Sequence, residues 1–204
     1  MKKLFLSSSF EDAAGKLADF APDLRGKTVT FIPTASVVEE VTFYVETGKS
    51  ALEDLGLIVD ELELSTACAD TIQTKLRKND AIYVSGGNSF FLLQELKRTG
   101  ADALIREEVA AGKLYIGESA GSIITAPDIE YVREMDSVEA APHLADFSAL
   151  GLTDFYTVPH YNSFPFEEAA QEIVDRYDSS LPLMPISNQE AILVDGVEVR
   201  IDRR

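Results

Sequence analysis

Residues 114–124 read Leu-Tyr-Ile-Gly-Glu-Ser-Ala-Gly-Ser-Ile-Ile. A short apolar run enters a glycine-bracketed pentapeptide, and an apolar helical pattern resumes at once. A buried strand turning sharply into a helix fits that order, and it places the chain among α/β architectures. The rest of the sequence agrees. Apolar runs at residues 3–6, 28–32, 58–64, 81–84, 114–116, 155–158 and 191–194 read as strands. Between them, residues 41–55, 90–97, 101–111 and 167–177 repeat apolar positions at helical spacing. The alternation predicts a doubly wound, mainly parallel sheet flanked by helices, in a single domain spanning residues 1–204. Residues 191–201 predict two strands about the turn pair Asp195-Gly196, and Ser7-Ser8-Ser9-Phe10 reads as a loop after the first strand. Periodicity fades across 127–154, which is expected to be an irregular excursion.

Composition excludes several function classes. With 35 Asp and Glu against 18 Lys and Arg, the formal net charge is −17. Such a chain repels polyphosphate and anionic lipid, so neither nucleic acid nor a membrane surface is an expected partner. No apolar stretch approaches the roughly 20 residues of a membrane span. Cys68 is the only cysteine, which forbids an internal disulfide, and no metal-ligand spacing surrounds it. Without glycines or an elbow beside it, Cys68 reads as a small buried or boundary residue. A cytoplasmic protein needing no metal or cofactor is expected.

In open α/β sheets, sites lie at the carboxyl ends of strands, and three ends carry reactive groups. Gly117-Glu118-Ser119-Ala120-Gly121 has the form of a nucleophile elbow. Its glycines remove side chains that would collide as the chain reverses, and Ser119 is left at a helix N-terminus. The alternative is a glycine-rich turn with Ser119 as a plain N-cap. At Ser85-Gly86-Gly87-Asn88, the backbone N–H of Gly87 is a candidate second oxyanion donor beside that of Ala120. On these residues alone the preferred reading there is a tight loop with Asn88 capping a helix. In Val158-Pro159-His160-Tyr161-Asn162, His160 follows a strand and is the candidate base, because a serine hydroxyl needs an imidazole to take its proton. His143, within the irregular stretch, reads as a surface residue. An acid to orient the base is expected at Glu190, before the buried run 191–194, with Glu134 as the alternative.

Together, YVSGGNSFFLLQEL, LYIGESAGSIITAP and VPHYN resemble the peptidase E (aspartyl dipeptidase) family of serine peptidases. The resemblance runs over roughly residues 28–199. It implies a fold like flavodoxin and the class I glutamine amidotransferases, with Ser119 as nucleophile, His160 as base, and Gly87 and Ala120 as oxyanion donors. The third member would be a glutamate near the last strands, matching Glu190, or an acid soon after the nucleophile helix, matching Glu134. One departure bears on substrate. The family holds an aspartyl carboxylate with arginines after the histidine, whereas residues 162–182 here offer Arg176 alone among five acids.

The expected function is a serine-type peptidase acting on small peptides, as a monomer or small homo-oligomer. Two other functions fit the same residues. An esterase or amidase would use the same elbow on non-peptide acyl groups. A catalytically silent binding module would leave His160 too far from Ser119 for proton transfer.

Overall fold

A computed structural model describes residues 1–203. The chain runs β1 (Lys3–Ser7), α1 (Phe10–Phe20), β2 (Thr28–Ile32), α2 (Phe43–Asp54), β3 (Ile58–Glu61), α3 (Ala69–Lys78) and β4 (Ala81–Val84). It continues through α4 (Ser89–Thr99), α5 (Ala101–Ala110), β5 (Leu114–Glu118) and α6 (Ala120–Ile123). The last elements are β6 (Tyr156–Val158), α7 (Glu167–Tyr177), β7 (Leu183–Pro185), β8 (Ala191–Asp195) and β9 (Glu198–Asp202). The main sheet is ordered β3-β2-β4-β5-β1-β8-β9. Its first five strands are parallel, while β8 and β9 join antiparallel, so the sheet is doubly wound and mainly parallel.

Period-2 alternation divides the strands between two cores. Leu4, Leu6, Ile82, Val84 and Tyr115 face α3, α4, α5 and α7. Phe5, Ala81, Tyr83, Leu114 and Ile116 face α1 and α2 on the other side. A strand covered on both faces has no polar side, which is why β4 and residues 114–116 of β5 read as unbroken apolar runs.

Several elements depart from the sequence expectation. Two helices, α1 and α3, lie where none was expected. Helix α1 starts only two residues after β1 and buries Phe10, Ala13 and Leu17. Helix α3 buries just Ile72 and Leu76 and is otherwise polar. The run 155–158 does form a strand, but β6 pairs in parallel with β7 in a separate two-stranded sheet. At the last hairpin, Asp195 pairs with Glu198, so the two turn residues are Gly196 and Val197. Gly196 has φ of 64°, the value the first position of such a turn requires. Residues 127–154 hold two single 3-10 turns and one isolated bridge, Asp128 to Ser148.

The turn after β5 is held by backbone-on-backbone packing. A Cβ at Gly121 would lie 2.1 Å from Val84 O, and one at Gly117 would lie 2.6 Å from Gly121 O. Gly15, in α1, has nothing within 4 Å of such a position. The two sites should therefore respond oppositely to the same change. In urea unfolding, Gly121→Ala is expected to lose about 3 kcal/mol or more by overpacking. Gly15→Ala is expected to gain about 0.5–1 kcal/mol from helix propensity.

Candidate active site

Ser119 connects β5 to α6 with φ 47° and ψ −106°, a left-handed conformation that a non-glycine residue rarely holds. Its backbone N–H donates to Ser7 O at 2.9 Å, anchoring the elbow to the neighbouring β1. The side chain makes no capping hydrogen bond to α6. Instead Ser119 Oγ lies 2.9 Å from Nε2 of His160. The Gly86 backbone borders the same serine, since a Cβ there would lie 3.4 Å from Ser119 Cβ.

His160 follows β6 and also has a positive φ, 59°. Its backbone N–H donates to Ser8 Oγ at 3.0 Å, and Ser8 Oγ donates in turn to Ile186 O at 3.1 Å. Ser8, at the end of β1, thereby ties the small sheet to the large one. The Phe166 ring lies 5.0 Å from the imidazole and helps to bury it. Nδ1 of His160 sits 2.7 Å from Asn188 Oδ1. A carbonyl oxygen can only accept, so Nδ1 carries the proton and Nε2 presents a lone pair to the Ser119 hydroxyl. Burial holds the imidazole below its ordinary pKa, while the Asn188 hydrogen bond works in the opposite direction.

Neither expected acid reaches the histidine. Glu190 turns back on its own loop: Oε2 accepts from Ser187 N at 2.8 Å and Oε1 pairs with Arg203 at 2.9 Å. It braces the turn that presents Asn188 rather than touching the ring. Glu134 is ion-paired with Arg176 of α7. Another acid after the elbow helix, Asp136, is half-buried. It accepts from Ser89 N at 2.8 Å, at the start of α4, and burial pushes its carboxyl up to about 6. The sequence reading missed Asn188 because it looked for a charge, and orientation of an imidazole needs only an acceptor. Its one sequence signal is its place in the loop entering β8, two residues before Glu190.

The loop after β4 is similarly constrained. Asn88 Oδ1 accepts from Phe91 N at 2.9 Å, so it does cap α4. Gly87 has φ of 129°, and a Cβ there would lie 2.3 Å from the Ala35 backbone. Ala120, the first residue of α6, has its N–H in the opening turn, where no intrahelical acceptor exists. Cys68 is exposed at the N-cap of α3, the boundary rather than the buried form of the expectation, and His143 is exposed as expected. Among the described residues, no three His, Cys, Asp or Glu side chains gather as a metal site needs, and no helix is long and apolar enough to cross a membrane.

Comparison with known proteins gives a consistent result. Residues 4–202 match peptidase family S51. An uncharacterized peptidase of Listeria monocytogenes is 62% identical over 199 residues, covering 98% of this chain and 97% of that protein. Peptidase E of Shewanella denitrificans is 34% identical over 178 residues, covering 84% and 72%. The crystal structure of a peptidase E-type protein from Listeria monocytogenes superposes with a TM-score of 0.97 at 61% identity, covering 100% of this chain and 99% of the other. A peptidase from an acI-B1 actinobacterium shares the fold, with a TM-score of 0.72 at 20% identity over 99% and 87% of the two chains.

With two histidines in the chain, proton NMR can follow each imidazole separately. His160 is expected to titrate below the ordinary 6.5. Asn188→Asp should raise that midpoint by placing a charge beside the ring, and Asn188→Ala should lower it further. The sign for stability follows. The unfolded chain binds this proton more readily than the folded one, so the contribution is complete above about pH 6.5 and falls as pH drops towards the folded midpoint. His160→Gln should remove that part of the acid sensitivity.

Proposed function

The chain belongs to peptidase family S51, and from that membership we propose that it is a cytoplasmic serine peptidase of small peptides in which Ser119, His160 and Asn188 carry the reaction. The observation that carries the reading is the 2.9 Å contact between Ser119 Oγ and His160 Nε2 on a strained elbow. That separation is already within the range of a proton transfer, whereas a silent binding pocket has no use for it.

In the proposed cycle, Ser119 Oγ attacks the scissile carbonyl carbon as its proton passes to His160 Nε2. The negative charge that develops on the carbonyl oxygen is met by the Gly87 and Ala120 N–H groups and by the positive end of the elbow helix. His160 then delivers the proton to the departing amine, leaving an acyl-serine. Water, deprotonated by the same Nε2, attacks the acyl carbon, and the proton returns to Ser119 as the free carboxylic product leaves. Asn188 holds the imidazole in the tautomer that accepts. It supports the imidazolium less than a carboxylate would, but it leaves the free ring neutral at neutral pH.

Substrate preference is read from the charges around the histidine segment. Arg176 is occupied on both sides, by Glu134 and by Glu172 at 3.2 Å. The groove beside Asn162 is lined by Glu167, Glu168, Glu172 and Asp175. An aspartyl side chain would enter that field without a cation to receive it. Peptides with neutral or basic residues are the favoured substrates.

Two measurements test these statements. A fluorophosphonate probe should label Ser119 of the folded enzyme, and Ser119→Ala should lose peptidase activity by about 10³-fold or more. An unlabelled Ser119, or full activity in the alanine variant, overturns the mechanism. Across a dipeptide panel, kcat/KM for Asp-X is expected to fall at least about tenfold below that for neutral X-X. A preference for Asp-X would refute the charge argument alone.

A further inference from the structure

The segment joining β2 to α2, residues 34–44, reads Thr-Ala-Ser-Val-Val-Glu-Glu-Val-Thr-Phe-Tyr. Its first three residues are buried in a 3-10 turn over Thr34–Val38. Beyond them, Val37, Val38, Val41 and Phe43 are 42–70% exposed. A single exposed apolar side chain is ordinary, but four within seven positions make a patch that calls for an occupant. Both ends of the patch are fixed to the loop after β4. At one end, Ala35 O accepts from Asn88 N at 2.9 Å, and a Cβ on Gly87 would lie 2.3 Å from the Ala35 backbone. At the other end, a Cβ on Gly86 would lie 3.5 Å from the Tyr44 ring and 3.4 Å from Ser119 Cβ. The ring and the nucleophile therefore face each other across Gly86. The Phe43 ring meets that of Tyr44 edge-on at 6.1 Å, which continues the apolar surface outwards.

Sheet order decides which part of a substrate meets this surface. Strands β4 and β2 lie on one side of β5, and β1 lies on the other. His160 reaches Ser119 from the β1 side, where its backbone N–H is held by Ser8 Oγ at 3.0 Å. In the proposed cycle His160 delivers its proton to the departing amine, so the leaving group belongs on that side. The acyl residue is then directed the other way, over β4 and β2, where the patch stands. Resting on the peptidase reading above, we infer that Val37, Val38, Val41, Phe43 and the Tyr44 ring receive the side chain of the residue whose carbonyl is attacked, and that this side chain is aliphatic or aromatic. Residues 34–44 hold Glu39 and Glu40 but no Lys or Arg, so an acidic side chain has no partner there.

The test varies each half of a dipeptide separately. In wild-type enzyme, kcat/KM for Leu-Ala and Phe-Ala is expected to exceed that for Ala-Ala by about tenfold or more, with Ala-Leu within about threefold of Ala-Ala. Phe43→Ser, and Val41→Ser as a second exposed variant, should each lower the ratio of Leu-Ala to Ala-Ala by about 3–10-fold. Val197→Ser, on the exposed turn between β8 and β9, should leave that ratio unchanged. A wild-type ratio near one, a ratio unmoved in both patch variants, or faster turnover of Lys-Ala than of Leu-Ala overturns the inference. Sedimentation checks the competing occupant, a second copy of the chain: if Phe43→Ser turns a dimer into a monomer, the patch is a subunit interface and the inference fails. A wild-type enzyme unlabelled by the fluorophosphonate at Ser119 overturns the peptidase reading instead. Calorimetric binding to Ser119→Ala, which needs no turnover, then still decides the patch: Leu-Ala should bind about tenfold tighter than Ala-Ala, and equal Kd values refute it.

Discussion

Contact between the backbone of α6 and the end of β4, possible because Gly121 has no side chain, sets the geometry on which the site depends. It lets the helix begin immediately after the strand, and Ser119 is forced to φ 47° in consequence. Strain of that kind costs about 1–3 kcal/mol. It is offset locally. Ser119 N donates to Ser7 O at 2.9 Å, Tyr115 Oη donates to Gly121 O at 2.6 Å, and the Ser122 hydroxyl lies 2.8 Å from Ser7 O. At roughly 0.5–1.5 kcal/mol net each, three such bonds match the strain. The elbow is therefore a rigid feature of the sheet centre, where β5 lies between β4 and β1.

The histidine comes from a different sheet, and its register against the elbow must be fixed by other means. Ser8 supplies it. One hydroxyl accepts from His160 N and donates to Ile186 O, so the residue that follows β1 touches both the segment after β6 that carries the histidine and the segment after β7 that leads to Asn188. On the second side, Asn188 N donates to Ser163 Oγ at 3.2 Å, and Ser163 N donates to His160 O at 2.9 Å. The imidazole is thus bounded by backbone contacts before its ring nitrogens are counted. On the proposed reading, that arrangement lets an uncharged residue orient the ring. In many triads a carboxylate both aims and charges the histidine, whereas here aiming is shared with the surrounding backbone.

What the sequence made legible follows from how local each signal is. Ser119, Gly117 and Gly121 lie within one pentapeptide whose sterics can be read from the residues themselves. His160 was legible because only one other histidine competed, and the strand before it was apolar. Asn188 was not, because the property required was an acceptor at a distance of 28 residues, and residue type alone pointed towards acids that the fold uses elsewhere. Helix α3 was invisible for a related reason. Two buried side chains, Ile72 and Leu76, give one i,i+4 pair and no longer period. Strand β6 was found but its sheet was not, since Tyr-Thr-Val carries no information about its partner strand.

The acidic surplus divides into groups with different consequences. Glu190 and Glu134 look in sequence like candidates for catalysis, yet each is bonded to an arginine and holds two segments together. Such half-exposed pairs add little stability. Their effect is to remove positive charge from solvent, and Arg176 loses it to Glu134 and Glu172 alike. What remains around the histidine segment is negative. Since an unscreened charge acts over roughly 8–10 Å at ordinary ionic strength, that field extends across a bound dipeptide. On the proposed reading, the charge balance that argues against a nucleic-acid partner also selects among peptides at the mouth of the site, through which cations are already taken rather than through how many acids there are.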